Sequence, residues 1–493
     1  MNPRVPGDTT AAPRGEHDTD REGRGAAMRA SVVTRWRDEI TSVRGTGSSS
    51  ADVDLMAALE ELKSAACAAQ ARLAVEVDAA ERDRQAVAGV PVRRRGTGVA
   101  AQIGLARRES PHRATVLLGA AKVWTREMPC TLEALTAGRL SEHRALVLVA
   151  ETACLELEDR QEVDRLLCAD PEALEGIGTR QLAAMTRAHA ARLDPAAVAR
   201  RARRAESERC VTIRPAPDTM CYVTALLPMK TGVAVFAALK AAADLARSTA
   251  GGDPRGHGQL MAATFVERIT GHSDLDAIPV TVNLVMSDAS LLGAGHEAAS
   301  IDGGAAVPAQ VAREIVAGGL DAEAAWLRRL CADPGGRLVA MTSRERFFPS
   351  GLASFLQIRD QGICRTPYCD APIRHVDHIV PAARGGETDE SNGQGLCEAC
   401  NHAKQAPGWS QSVVSGALAR GGPATGPHTV QTTTPTGHRY TSRAPAPPRP
   451  ARSAVRTHGD ADDRRTVPGA VVDMMFADLV ASHLRVEHAS RAA

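Results

Sequence analysis

Apolar residues recur at helical spacing from Asp52 onward. Steps of three, four and seven residues separate Leu55, Leu59, Leu62, Ala66, Leu73 and Val77. This spacing is typical of one face of a long amphipathic helix, which we expect to enter a core. The stripe is also near heptad spacing, so a dimer seam at about 53–80 is the alternative. The pattern therefore predicts a folded body that begins at residue 52 and leaves a homo-oligomer through this helix open.

Helical periodicity continues to about residue 205, interrupted by capping and helix-breaking residues. These are Ser110-Pro111, Pro129, Gly138, Asp170-Pro171 and Asp194-Pro195. Alternation of apolar and polar residues then predicts a hairpin from 210–214 and 220–227. A helix over 234–246 and a strand over 279–286 are predicted to follow. The fold class is mainly α with an α+β middle, in a domain over 52–345.

The two ends of the chain lack this periodicity. Residues 1–48 mix Arg, Asp, Gly, Thr and Pro, and residues 411–493 are rich in Gly, Pro, Thr and Ala. Such compositions bury too little apolar surface to offset chain entropy. We therefore predict a disordered tail over 1–48 and a flexible tail over 411–493. Only 471–484 has helical spacing there, which predicts a short tail helix.

Composition limits which binding partners and which cellular location are expected. Lys and Arg number 59 against 58 Asp and Glu among 493 residues, so the net charge is +1. Any nucleic-acid affinity must then be local. Aromatic residues are only 3% and hydrophobic residues 44%, which favours helices packed through Ala, Leu and Val. No apolar stretch approaches the roughly 20 residues that span a bilayer, so a cytoplasmic location is expected.

Two close cysteine pairs lie near residue 380. Cys364 and Cys369 form a CxxxxC pair, and Cys397 and Cys400 form a CxxC pair. Four thiolates that converge from two turns suit a tetrahedral structural Zn²⁺. The cysteines predict a zinc-stapled module over 350–410, and taken alone they fit a zinc ribbon or knuckle equally well.

Further polar residues lie between and beside the cysteine pairs. Asp377 and His378 precede a turn-prone stretch, 381–386, and Asn392 and Asn401 follow. Phosphodiester hydrolysis needs an activated water, charge stabilisation on the phosphate and help for the leaving oxygen. A neutral imidazole with a pKa of about 6.5 can accept a proton near neutral pH, and a divalent metal can supply the rest. The combination indicates a metal-dependent nuclease.

This segment resembles the HNH endonuclease family, whose ββα-metal fold holds one divalent cation. The resemblance implies that His378 is the general base, that Asn392 holds the loop carrying it, and that Asp377 ligates a catalytic Mg²⁺ or Mn²⁺. The third family position, often histidine, is Asn401. His402 is the alternative ligand, but one residue turns a helical side chain by about 100°, so Asn401 is expected.

DNA is the expected partner of this module. Arg374, Arg384 and Lys404 lie in the same segment, and nucleic-acid affinity rests largely on pairing such cations with phosphates. The alternative is a zinc-stapled module that has lost catalysis and binds nucleic acid or serves in assembly. Asn401 in the place of histidine is the feature that favours this alternative.

The long helical region resembles bacterial proteins that carry domain of unknown function 222 ahead of an HNH module. The matching stretches lie at 94–114, 135–149, 193–220 and 252–260. The order of the two regions is part of the resemblance. It implies a two-domain endonuclease but assigns no activity to the larger domain.

Overall fold

A computed structural model describes residues 30–170, 172–248, 253–273, 284–293, 295–301, 306–321, 342–343, 348–415 and 427–445. The chain divides into two compact units, Met1–Glu60 and Glu61–Ala493.

The first unit contains a helix where we had predicted disorder. α1 spans Ala30–Thr41, and α2, Ser49–Val87, begins in this unit. The tail predicted over 1–48 is therefore wrong at 30–41, and residues 1–29 lie outside the described residues. Val32, Val33, Trp36 and Ile40 supply helical spacing that the polar composition obscured. None of the α1 residues is buried.

The second unit continues α2 and adds a series of helices. They are α3 Val99–Arg107, α4 Pro111–Arg126, α5 Pro129–Thr136, α6 Glu142–Thr152, α7 Leu157–Cys168, α8 Thr179–Leu193 and α9 Pro195–Ser207. The predicted breakers Ser110-Pro111, Pro129 and Asp194-Pro195 lie at the starts of α4, α5 and α9, whereas Gly138 and Asp170 follow the ends of α5 and α7. Ser110 caps α4 and Asp194 caps α9 through side-chain oxygens that accept backbone N–H bonds, and proline occupies the first turn of each. The mainly helical prediction is confirmed for this region.

The core face of α2 differs from the predicted stripe. Leu62 and Leu73 are 42% and 58% exposed. The buried residues are Ser64, Ala68, Ala71, Ala74, Asp78, Glu81 and Gln85. The helical repeat is as predicted, but the predicted buried face of α2 is wrong. A different face is buried, because its small side chains allow the helix to approach the core closely. Trp124, Met128 and Leu135 fill that core. The dimer seam over 53–80 stays a prediction.

The predicted hairpin is confirmed. β1, Cys210–Pro215, pairs antiparallel with β2, Cys221–Leu226, and Cys210 lies opposite Leu226. The turn places Asp218 and Thr219 at positive φ. The helix predicted at 234–246 is α10, Met229–Ser248, and α11 spans His257–Thr270.

Short elements lead from α11 to the cysteine-rich region. They are β3 Leu284–Val285, α12 Asp288–Leu291, β4 Ala299–Ile301, β5 Ala306–Val307, α13 Ala309–Asp321 and β6 Thr342–Ser343. β3, β4 and β5 form a three-stranded antiparallel sheet. Of the strand predicted at 279–286, residues 279–283 lie outside the described residues.

The cysteine-rich region forms a strand pair followed by a helix. Its elements are α14 Ser350–Arg359, β7 His375–His378, β8 Thr388–Asp389, β9 Gly393–Leu396 and α15 Glu398–Lys404. β7 and β9 are antiparallel, with His378 opposite Gly393. β8 pairs with β6.

A three-stranded antiparallel sheet occupies part of the predicted flexible tail. It consists of β10 Ser410–Ser415, β11 Thr429–Thr433 and β12 Arg439–Arg443. The prediction over 411–493 is therefore wrong at 411–415 and 427–445, where β-branched residues pair across strands. The predicted helix at 471–484 lies outside the described residues.

Helix α3 packs against the segment after α15. Leu105 of α3 lies in a cluster with Ala406, Trp409 and Tyr440. Gly98, at the start of α3, has φ +84°, and a Cβ there would lie 2.7 Å from the Trp409 indole nitrogen. The helical region thus supports both the cysteine-rich module and its sheet. Among the residues that the structure describes, no helix combines the length and apolar character needed to cross a membrane.

His428 is a buried histidine that joins the C-terminal sheet to the module. Its Nε2 lies 2.8 Å from the Ser391 main-chain oxygen, and its side chain is almost fully buried. Burial lowers the pKa of His428 to about 4, and the nearby Arg359 and Arg365 charges act in the same direction.

We therefore expect His428 to make the protein acid-sensitive. Below the ordinary histidine pKa of about 6.5 the unfolded chain takes up a proton that the folded chain accepts only near pH 4. Urea unfolding across this window should show a loss of up to about 3 kcal/mol that is absent in His428→Gln. His438→Gln, at an exposed site in the same sheet, is the control. Parallel pH curves for wild type and His428→Gln would contradict the prediction.

Candidate metal centre and active site

The four cysteines converge on one point. Cys364 and Cys369 lie in the loop before β7, Cys397 caps the N-terminus of α15, and Cys400 lies in its first turn. All four are buried, and their sulfurs lie within 4.8 Å of one another. Sulfurs of Cys369 and Cys397 are 3.8 Å apart. A tetrahedral site with Zn–S bonds of about 2.3 Å requires sulfurs about 3.8 Å apart, so the cluster fits a structural zinc ion.

Contact among the four sulfurs lowers the pKa of the Cys364 and Cys397 thiols and raises that of the Cys369 and Cys400 thiols. Hydrogen bonds from Cys364, Cys369 and Cys400 lower the pKa of the Cys397 thiol, and the Cys400 backbone N–H adds to the effect. Thiolate is the form that binds a metal. The cluster joins the loop before β7 to α15, which is the junction that carries the other candidate site residues.

His378 lies at the end of β7 in a nearly buried position. Its Nε2 is 2.9 Å from Thr388 Oγ1, and its ring centroid is 4.5 Å from that of Phe348. Burial lowers the pKa of His378, while the neighbouring Asp377 charge opposes that shift. The imidazole is thus held in one orientation and favoured in its neutral form.

Asn392 binds the loop that follows His378. Its Oδ1 accepts from the Val380 backbone N–H at 2.8 Å, and its Nδ2 donates to the main-chain oxygens of Val380 and Glu387 at 3.0 and 2.8 Å. Gly386 lies against this bridge, and a Cβ there would lie 1.9 Å from the Val380 oxygen. The chain between His378 and Asn392 is therefore closed into a tight loop by one amide side chain.

The other predicted metal ligands lie on β7 and α15. Lys404 Nζ is 2.5 Å from Asp377 Oδ2 and also donates to the His378 main-chain oxygen. Asn401 precedes Lys404 by three residues, so both project from one face of α15. The Asn401 Oδ1 atom is buried without a hydrogen-bond partner. His402 is exposed.

The three predicted phosphate-contacting residues fall into two groups. Arg374 and Arg384 are exposed, beside β7 and in the turn after it. Lys404 is instead largely buried, with a side chain 10% exposed. Burial lowers its pKa, although Asp377 acts in the opposite direction. The structure therefore brings Lys404 to Asp377 and His378, not to the surface.

Sequence reasoning missed two neighbours of His378. Thr388 and Phe348 contact the imidazole, but nothing in their spacing distinguishes them from ordinary loop and core residues. Thr388 reaches His378 only because the intervening loop folds back, and Phe348 lies thirty residues earlier in the chain.

Loss of one cysteine should prevent the sulfur cluster from holding zinc. We expect Cys400→Ser to reduce bound zinc from about one ion per chain to a small fraction, since a structural site needs four ligands. Elemental analysis after dialysis measures this. Cys221→Ser, at an exposed cysteine of β2, should retain its zinc. Full zinc content in Cys400→Ser would rule the cluster out as the zinc site.

Replacing the Asn392 side-chain nitrogen with oxygen should destabilise the loop that this side chain closes. Asn392→Asp keeps the shape but removes both donors, leaving the Val380 and Glu387 oxygens facing a carboxylate. We expect a loss of about 2–5 kcal/mol in unfolding free energy, since each unpaired buried group costs about 1–3 kcal/mol. Faster hydrogen exchange over 379–387 should accompany it. Gln405→Glu makes the same charge change at an exposed residue, and an equal loss there would contradict the prediction.

The comparisons with known proteins assign a family to this segment. Residues 364–406 match the model of the HNH endonuclease family. No curated protein and no solved structure matched the chain. The match covers both cysteine pairs, β7, β9 and α15. Residues 364–406 are thus an HNH domain, and such a domain is generally a nuclease module.

Proposed function

We propose that this chain is a metal-dependent DNA endonuclease in which His378 activates water. The observation that carries the proposal is the orientation and burial of His378 within the HNH domain. Its Nε2 contacts Thr388, and burial favours the neutral imidazole. A general base must be unprotonated and held in place, and these two features support that role for His378.

The proposed mechanism uses the tautomer of His378 in which Nε2 carries the hydrogen. When Nε2–H donates to Thr388 Oγ1, Nδ1 carries the lone pair. Nδ1 then takes a proton from the attacking water. Asn392 maintains this geometry because it closes the loop that begins directly after His378. Thr388 is therefore a positioning residue.

Asp377 and Asn401 have the chemistry of ligands for a hard divalent cation. Mg²⁺ and Mn²⁺ prefer carboxylate and amide oxygens, and the unpaired Asn401 Oδ1 is such an oxygen in a buried position. When bound, the ion would stabilise charge on the phosphate and on the leaving 3′ oxygen. The expected products carry 5′-phosphate and 3′-hydroxyl ends.

The exposed arginines supply phosphate contacts in this proposal. Arg374 and Arg384 lie on the same module as His378, and their guanidinium groups can each pair with a phosphate. Because the net charge of the chain is only +1, binding would depend on such local cations. Affinity should then fall as salt rises.

The cellular location, the family of the helical region and the oligomeric state are proposed from features outside the site. A cytoplasmic location stays a prediction, and it accords with the scattered spacing of the cysteines outside the sulfur cluster, which is typical of reduced thiols. The assignment of the helical region to domain of unknown function 222 and a homo-oligomer through α2 are predictions of the same standing.

Cleavage of supercoiled plasmid DNA tests the proposal. We expect nicking that needs added Mg²⁺ or Mn²⁺ in the zinc-loaded protein and that falls about 100-fold or more in His378→Ala. His375→Ala is the matched control, because His375 lies two residues earlier on β7 and is exposed. Retained turnover in His378→Ala would refute the assigned base. No cleavage by wild type, with DNA binding retained in EDTA, would favour the catalytically lapsed binding module.

A further inference from the structure

Lys404 holds a cation against the residues proposed to bind a metal. Its side chain leaves α15, is 10% exposed, and ends between two oxygens. One is Asp377 Oδ2, at 2.5 Å, and the other is the main-chain oxygen of His378. A carboxylate and a carbonyl oxygen are ligands that hard cations prefer. The ammonium therefore occupies surroundings suited to a small cation.

The Asp377 pair differs from the structural ion pairs of the same module. Asp360 is fully buried, is paired with Arg359 and Arg365, and also accepts from the Gly395 backbone N–H. Asp377 is 30% exposed, so an incoming ion can reach its carboxylate. The Asp360 cluster is thus closed to solvent, whereas the Asp377 pair is open on one side.

Asn401 places a further acceptor on the same face of α15 as Lys404. It lies one turn before Lys404 on α15, and its Oδ1 is buried without a partner. Lys404 offers only hydrogen-bond donors and a positive charge, so the ammonium and a divalent ion would both be drawn to the Asp377 carboxylate and would repel each other there. A flexible four-carbon stem allows Lys404 to leave that oxygen.

We propose that Lys404 competes with the divalent cation for Asp377, so that metal binding requires the ammonium to leave the carboxylate. The inference rests on the proposed function, in which Asp377 is a metal ligand. Lys404 neutralises Asp377 when no metal is bound and sets the metal concentration at which the site fills. Its role is therefore to control occupancy of the metal site.

Titration of Mn²⁺ into the zinc-loaded full-length protein tests this competition. Isothermal calorimetry should show binding to Lys404→Met that is on the order of tenfold tighter than to wild type, the size of a typical coupling between two ligands. Lys240→Met, at an exposed lysine of α10, should leave the Kd unchanged. Asp377→Asn should abolish the binding. If the Lys404–Asp377 pair were purely structural, breaking it would not tighten Mn²⁺ binding.

The outcomes separate this inference from the proposed function. An unchanged Kd in Lys404→Met, with wild-type binding that depends on Asp377, overturns the competition and leaves the proposed metal site standing. Mn²⁺ binding that is absent from both proteins, or that survives Asp377→Asn, overturns both. Binding detectable only in Lys404→Met supports the competition. If zinc content or circular dichroism shows that Lys404→Met is misfolded, Lys404→Gln, which keeps polarity without charge, provides the same comparison.

Discussion

The antiparallel pairing of β7 with β9 is the constraint on which the site depends. It places His378 opposite Gly393, so the residues just beyond each strand end meet across a short gap. Asn392 can then bind Val380, and the loop closes beside the imidazole. The sulfur cluster links the same two strands to α15, because Cys364 and Cys369 precede β7 while Cys397 and Cys400 follow β9. A slip of one residue would reverse which side chains face the site.

A buried ionic cluster connects this strand pair to the C-terminal sheet. Arg359 and Arg365 flank Asp360, and Arg365 also donates to main-chain oxygens of His428 and Ser442. Removing one member would leave a buried charge without its partner, which costs more than the intact pair contributes. The HNH domain, the sheet and α3 therefore support one another, and these contacts extend beyond residue 406, where the family match ends.

Electrostatic roles within the site are divided between burial and pairing. Burial favours neutral His378, whereas Asp377 retains a charged partner in Lys404. Two adjacent residues of β7 thus have different surroundings, one packed against Phe348 and one partly open to solvent. Such a division would suit the proposed base beside the proposed cation site, because each group needs a different charge state.

The sequence by itself determined the features that depend on local spacing. Two cysteine pairs, an Asp-His dipeptide and two asparagines were sufficient to indicate the HNH domain, and capping residues marked the starts of α4 and α9. Only the tertiary structure decided which face of α2 is buried. Leu62 and Ala68 lie on different faces that both follow the helical repeat, and packing buries the face of Ala68. It also decided that the C-terminal sheet forms and that Lys404 pairs with Asp377. Lys404 and Asp377 are 27 residues apart, and β10 pairs with β11 across residues 416–428, so no local pattern encodes these two pairings.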